Sequence, residues 1–294
     1  VPNINQLALR GSADWWNYSN NVKVRLTNNG WQAAASWYQN PVPLNNDFRT
    51  TFRTSINAWS CSTYTTTYCR AKFFGWCIST GTDYHTDRCG GDGQAFVLQT
   101  SGFTHGSLGG GLGYEGLQNV LALEFDTYQN GDKNDPWWSK EDDRHMSVTL
   151  QRGAASANEN YAIAWNDRPI NWKNNYGGGY RDSVGVDVRI VDRLLEVYVD
   201  GSLQIGYYGN LDVPASLGST YFFAGFTAGT GAMKEDHYFY DWVLYMDSFS
   251  APHSSTTLAG SDSVMPNQVM TFTVNLRNSC GRYHYRNNIY ESAG

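Results

Sequence analysis

The chain has 294 residues, with 21 Lys and Arg against 27 Asp and Glu, for a formal net charge of −6. That balance excludes the basic face a nucleic-acid partner would require, and no run of about 18 apolar residues is present to form a membrane span. The length exceeds an ordinary domain and predicts one large β domain followed by something small.

The opening VPNINQLALRG has neither a charged n-region nor an apolar h-region. The protein is therefore expected to be intracellular or already freed of a signal peptide. Asn17-Tyr18-Ser19 is a glycosylation sequon and fits secretion. Alternating strand patterns follow at 22–27 and 47–59. Next, Cys61, Cys69, Cys77 and Cys89 crowd one loop-like segment with 7, 7 and 11 residues between them. Zinc sites use closer CxxC knuckles, so two disulfides and an oxidising, extracellular location are expected instead.

Further alternation recurs at 93–100, 120–128, 145–152, 161–167, 185–191, 194–208, 221–229 and 237–246. Asp200-Gly201 interrupts one run as a hairpin turn. Helical periodicity is hard to find. Many short strands with glycine-rich turns predict an all-β fold, an antiparallel two-sheet jelly-roll sandwich over residues 1–251. Trp15-Trp16 and Trp165 read as core, and His237 and Trp242 as packing. A polar, linker-like segment starts after Phe249, with one more alternating strand at 269–278. A boundary is placed near residue 252.

The stretch 123–145, LEFDTYQNGDKNDPWWSKEDDRH, holds seven carboxylates: Glu124, Asp126, Asp132, Asp135, Glu141, Asp142 and Asp143. Side chains alternate along a strand, so Glu124, Asp126 and Tyr128 share a face. Two carboxylates there repel unless a cation lies between them. Calcium takes six to eight oxygen ligands; Asp126, Asn130 and Asp135 offer side-chain oxygens and Tyr128 a carbonyl. Glu124, Asp126, Asp135 and His145 form a second set, mixed with imidazole, that suits Mn2+ or another transition metal. The run 139–143 reads as a solvated acidic loop. Trp137-Trp138 lies in the same loop, where it could touch a ligand.

LALEFDTYQNGDKNDP with its following histidine resembles the metal-binding stretch of legume-type (L-type) lectins, the concanavalin A-like fold. GGDGQAFVLQ (90–99), GGGLGYEGLQN (109–119), FFAGFTAGTGAMKEDHYFYDWVL (222–244) and VKVRLTNNGWQAAASWYQNPVPLNNDF (22–48) resemble further family motifs, in the family's order. The pattern is nearest to non-plant and bacterial members and covers about residues 5–250. The resemblance implies calcium on Asp126, Tyr128, Asn130 and Asp135, and a transition metal on Glu124, Asp126, Asp135 and His145. It implies a sugar site in which Asp92 accepts from two hydroxyls, Asn130 donates its amide, Gly110 donates a backbone N–H, and Tyr128 stacks. It also implies a cis Gly91–Asp92 peptide. WWSKEDDR resembles an insertion that sets His145 farther from Asp135 than in plant members. Glycans are the implied partners, with mannose or glucose ahead of galactose, and the choice is assigned to the loop 229–236.

Jelly rolls also host glycoside hydrolases, but the third carboxylate of their Glu-x-Asp-x-x-Glu strand is missing after Glu124 and Asp126. A non-catalytic binder is expected. A structural role in an extracellular assembly is the other alternative, because residues 255–281 resemble the opening of a filamin-type immunoglobulin-like repeat. Residues 252–294 offer about three short strands, too few to bury a core alone. Cys280 has no partner once two pairs form in 61–89. The expectation is a polypeptide that continues beyond Gly294, or self-association by strand exchange through 252–294.

Overall fold

A computed structural model of the chain describes residues 4–18, 21–44, 47–58, 61–73, 76–135, 144–166, 173–174 and 183–245. The predicted second domain at 252–294, Cys280, the Trp137-Trp138 pair and the run 139–143 lie outside the described residues.

The strands assemble into two large sheets. The front sheet runs β1 (Leu7–Gly11), β4 (Ala33–Tyr38), β17 (Tyr221–Gly229), β9 (Gly93–Gln99), β10 (Gln118–Asp126), β11 (His145–Ala154) and β12 (Ala162–Asn166), with β5 (Val42–Pro43) beside β17. The back sheet runs β16 (Ser202–Tyr207), β15 (Leu194–Val199), β14 (Val184–Val191), β6 (Phe48–Ala58), β18 (Glu235–Tyr245), β3 (Asn21–Thr27) and β2 (Asp14–Tyr18). β13 (Lys173–Asn174) joins β6 in parallel; the other described pairings are antiparallel. Helix is confined, among the described residues, to Val213–Leu217 and four 3-10 turns. This is the jelly-roll sandwich the alternation predicts. Asp200 and Gly201, with φ of 46° and 78°, make the two-residue turn between β15 and β16.

Alternation fills the space between the sheets. Phe48, Phe52, Phe96, Phe125, Phe226, Phe239 and Trp242 meet there. Phe226 is the hub, with ring centroids 3.8 Å from Phe239, 4.8 Å from Phe52, 5.0 Å from Trp242 and 5.4 Å from Phe96. A second apolar layer covers the outer face of the front sheet. Ala95, Val97, Val120 and Ala122 point outward from β9 and β10 and are capped by Leu112, Tyr114 and Leu117. β9 and β10 are thus buried on both faces, which places whatever their outward side chains carry in a low-dielectric layer.

Two expectations need correction. The cysteine segment is an extended hairpin, β7 (Cys61–Phe73) against β8 (Trp76–Cys89), rather than a loop; its run of threonine and tyrosine favours pleated structure. Trp15 and Trp16 are not core: they are 37% and 39% exposed on the edge strand β2, where Arg25 lies over the Trp16 ring at 4.3 Å. Trp165 is half-buried, whereas His237 and Trp242 are buried as expected. Asn17 lies in β2, opposite Val22.

Phe226→Ala is expected to cost about 3–5 kcal/mol, because it opens a cavity among four rings. Urea unfolding measures this, with Phe226→Leu falling between the two. A loss under about 1 kcal/mol would show that the hub does not carry the core.

Candidate functional site

The site starts at the end of β10. Leu121, Leu123 and Phe125 face the sandwich core, so Glu124 and Asp126 face outward under the capping layer, where both are buried. Register then chooses their neighbours. Asp126 lies opposite Gly93 of β9 on one side and His145 of β11 on the other. The loop after β10 brings Asp135 back, and its Oδ2 accepts from the Asn130 N–H at 2.5 Å. Asp126 Oδ1 accepts from the Tyr128 N–H at 2.9 Å. Ligand atoms of Asp126, Asp135 and His145 lie within 4.8 Å of one another.

Two residues absent from the sequence reading complete the cluster. The Tyr114 hydroxyl donates to Glu124 Oε1 at 2.5 Å. Glu159 Oε1 lies 2.9 Å from His145 Nε2. No local pattern marks either, since both arrive on connecting segments. Four carboxylates therefore share one pocket of protein with a single imidazole.

Electrostatics follow from that crowding. Burial, then the Glu159 charge, pushes Glu124 up to about 8. Burial also lifts Asp135 to about 7, and burial followed by Asp135 holds Asp126 well above the usual carboxylate range. Burial alone would lower His145, but the Asp126 and Glu159 carboxylates overcome it and raise the imidazole well above its usual value. The protein's own groups leave this cluster short of positive charge. Buried Asn130 Oδ1 and His145 Nδ1 have no hydrogen-bond partner among the described residues. An unpaired amide oxygen, an imidazole nitrogen and clustered carboxylates form a donor set that fits one or two divalent cations. Glu159 would occupy the second nitrogen of a metal-ligating histidine, as carboxylates commonly do.

A pocket of ≈ 280 Å³ opens beside the cluster, lined by Asp92, Asn130, Gly110 and Tyr128 together with Trp31, Leu108 and Met233. Asn130 Nδ2 donates to Asp92 Oδ1 at 3.1 Å, and Asp92 Oδ2 is buried without a hydrogen-bond partner among the described residues. Burial raises the Asp92 carboxyl, while the Asn130 amide and the Gly231 N–H act against that rise. A Cβ at Gly110 would lie 2.7 Å from Asn130 Cγ, so only glycine lets the two approach. The Gly91–Asp92 peptide is cis. The Asp92 carbonyl accepts from Thr127 N–H at 2.9 Å, which ties this loop to the end of β10. Beneath, Glu235 Oε2 accepts from the Thr127 hydroxyl at 2.5 Å and lies 3.0 Å from His237 Nε2. The structure thus brings together Asp92, Gly110, Tyr128 and Asn130 in one pocket, and Glu124, Asp126, Asp135 and His145 in the cluster behind it.

A pH dependence follows for the metal-free protein. Free Glu and Asp titrate near 4.3 and 3.9, below the folded values of about 8 for Glu124 and about 7 for Asp135. The native state therefore holds protons that the unfolded chain has released. This stability is fully present below the unfolded values and is lost as pH rises through the folded ones. The raised His145 acts with the same sign. Between about pH 5 and about pH 8.5 the melting temperature in EDTA is expected to fall, by roughly 2–4 °C for each kcal/mol lost. Glu124→Gln should flatten that slope in calorimetry; an unchanged slope would contradict titration of the cluster.

The legume lectin domain profile matches residues 2–260. Among solved structures, the VIP36 exoplasmic/lumenal domain in its Ca2+ and mannose-bound form is 16% identical, over 84% of this chain and 85% of that one, with a TM-score of 0.56. Basic winged bean lectin with Tn-antigen is 19% identical over 83% and 93%, TM-score 0.56. The lectin UEA-II complexed with galactose is 19% identical over 83% and 94%, TM-score 0.55. Such identities speak for the two-sheet fold alone, whereas the profile match spans most of the sequence, and by it this chain belongs to the legume lectin domain family.

Proposed function

We propose that this protein is a calcium-dependent, non-catalytic carbohydrate-binding protein of the extracellular space. One observation carries the reading: Asp92 and Asn130 hydrogen-bond to each other in an open pocket, and the same Asn130 donates its backbone N–H to Asp135 of the acidic cluster while its Oδ1 is buried without a hydrogen-bond partner among the described residues. Asp92 would accept from two vicinal sugar hydroxyls, Asn130 Nδ2 and the Gly110 N–H would donate, and Tyr128 would cover an apolar face of the ring. Calcium would be held by Asp126, Asn130, Asp135 and the Tyr128 carbonyl. Mn2+ or another transition metal would be held by Glu124, Asp126, Asp135 and His145. Bound cations would supply the positive charge that the cluster lacks and would fix the 126–135 loop against Asp92.

Hydrolysis is the weaker reading. It needs two carboxyl groups flanking the glycosidic bond, and Asp92 is the one carboxylate among the described residues lining the pocket. Glu124 and Asp126 are enclosed behind it. An extracellular location draws support from the cysteine hairpin. Cys61 and Cys89 are direct cross-strand partners, a spacing that disulfides accept, and Cys77 is disulfide-bonded. Sugar choice would fall to the loop 229–236, since Gly231, Ala232 and Met233 line the pocket. Mannose and glucose are expected ahead of galactose.

Asp92→Asn is expected to weaken sugar binding by roughly 10–100-fold, the worth of a hydrogen bond to a charged group, with calcium content unchanged. Asp126→Ala is expected to abolish both. Elemental analysis with isothermal titration calorimetry on a monosaccharide panel, with and without EDTA, reads both. Sugar binding that survives EDTA would overturn calcium dependence, and release of reducing ends from a glycan would overturn the binder.

A further inference from the structure

Trp31 is 69% exposed and lies in the left-handed region at φ 60°. Bulky residues rarely take that conformation, and it costs free energy. Leaving an indole in water adds a second cost. The fold nevertheless fixes this arrangement firmly. Gln32 Oε1 accepts from both the Asn28 and Asn29 N–H, at 2.8 and 2.9 Å. The Trp31 N–H donates to Gly231 O at 2.7 Å. Thr230 completes the brace: its hydroxyl donates to Asn29 O at 2.7 Å and accepts from the Gln32 N–H at 3.0 Å, and its N–H donates to Gln32 O at 2.9 Å. A Cβ at Gly30 would lie 2.9 Å from Gly231 O, so the turn between β3 and β4 sits directly on the loop that walls the pocket.

We propose that Trp31 is an aromatic platform for a second sugar unit, so that the ligand of this site is an oligosaccharide rather than a lone monosaccharide. The proposal rests on the carbohydrate-binding reading and extends it. The indole lines the same pocket as Asp92 and Asn130, with Leu108, itself 44% exposed, also on its wall. Asp92 is buried, whereas Trp31 and Leu108 are exposed, so apolar surface lies toward the open rim of the pocket. The unit hydrogen-bonded to Asp92 and Asn130 would leave its neighbour in the chain beside the rim. A pyranose presents an apolar C–H face that an indole can cover. Because the turn's backbone is already held, binding would order little beyond the indole's own torsions.

The test titrates calcium- and manganese-loaded protein with methyl glycosides of mannose, glucose, galactose and N-acetylgalactosamine. It then uses disaccharides and trisaccharides carrying the preferred sugar at the non-reducing end, and the p-nitrophenyl glycoside of that sugar. Wild type should bind the best oligosaccharide roughly tenfold more tightly than the methyl glycoside. Trp31→Ala should bring the ratio of oligosaccharide to methyl-glycoside affinity down to about one, and Trp31→Phe should keep most of the wild-type ratio. A wild type that binds the methyl glycoside but gains nothing from a second sugar overturns the platform alone. A Trp31→Ala variant that loses both ligands equally, or neither, also overturns it, as does a gain confined to the p-nitrophenyl glycoside. A wild type that binds no sugar overturns the platform together with the lectin reading.

Discussion

The constraint on which this structure depends is uncompensated negative charge in a dry place. Glu124, Asp126, Asp135 and Glu159 gather around His145 under an apolar cap. Isolated carboxylates are costly to bury, and without a cation burial raises Glu124, Asp126 and Asp135, favouring their protonated forms. The arrangement makes the protein's local stability and its capacity to present Asp92 and Asn130 consequences of one charge balance. Thr127 and Asn130 link the two: one hydrogen-bonds the Asp92 carbonyl, the other the Asp92 side chain.

The double burial of β9 and β10 makes that constraint severe. A two-layer sandwich normally leaves the outer face of each sheet in water. Here the segment carrying Leu112, Tyr114 and Leu117 closes over the front sheet, and the outward positions of β10 become an interior. Ala122 and Glu124 are neighbours on the same side of one strand, yet one completes an apolar layer and the other requires a partner. Tyr114 serves both purposes, packing its ring in the layer and donating its hydroxyl to Glu124.

Much of this was legible because it is periodic. VLALEFD states its two faces by alternation, and the acidic side of that pattern marked Glu124 and Asp126. GGDG before an apolar run marked Asp92 through family resemblance. What failed was whatever depends on contacts between distant segments. Tyr114 and Glu159 carry no local signature, because loop closure alone brings them to the cluster. Trp31 follows Asn-Asn-Gly and carries no local cue of its own; its placement comes from the Asn29–Thr230 contact across 201 positions. Trp15 and Trp16 were misplaced because average tryptophan burial does not apply on an edge strand with water on one side. The cysteine segment was misjudged by its cysteines, when its threonines and tyrosines favoured pleating.

The order of strands has a consequence for biosynthesis. β17 lies between β4 and β9, and β18 lies between β6 and β3. Both sheets are therefore completed in their interiors by the last two described strands, β17 and β18, one in each sheet. A ribosome adding about 5–20 residues per second takes roughly 10–40 s to pass from β4 to β17. From its own synthesis until β17 and β18 are made, each of β3, β4, β6 and β9 exposes an edge whose native partner does not yet exist. The nascent chain must pass through a half-built state rich in unpaired strands, the state most prone to wrong pairing. Chaperone demand for this domain should therefore persist until residues 221–245 have emerged rather than ease as the earlier strands appear.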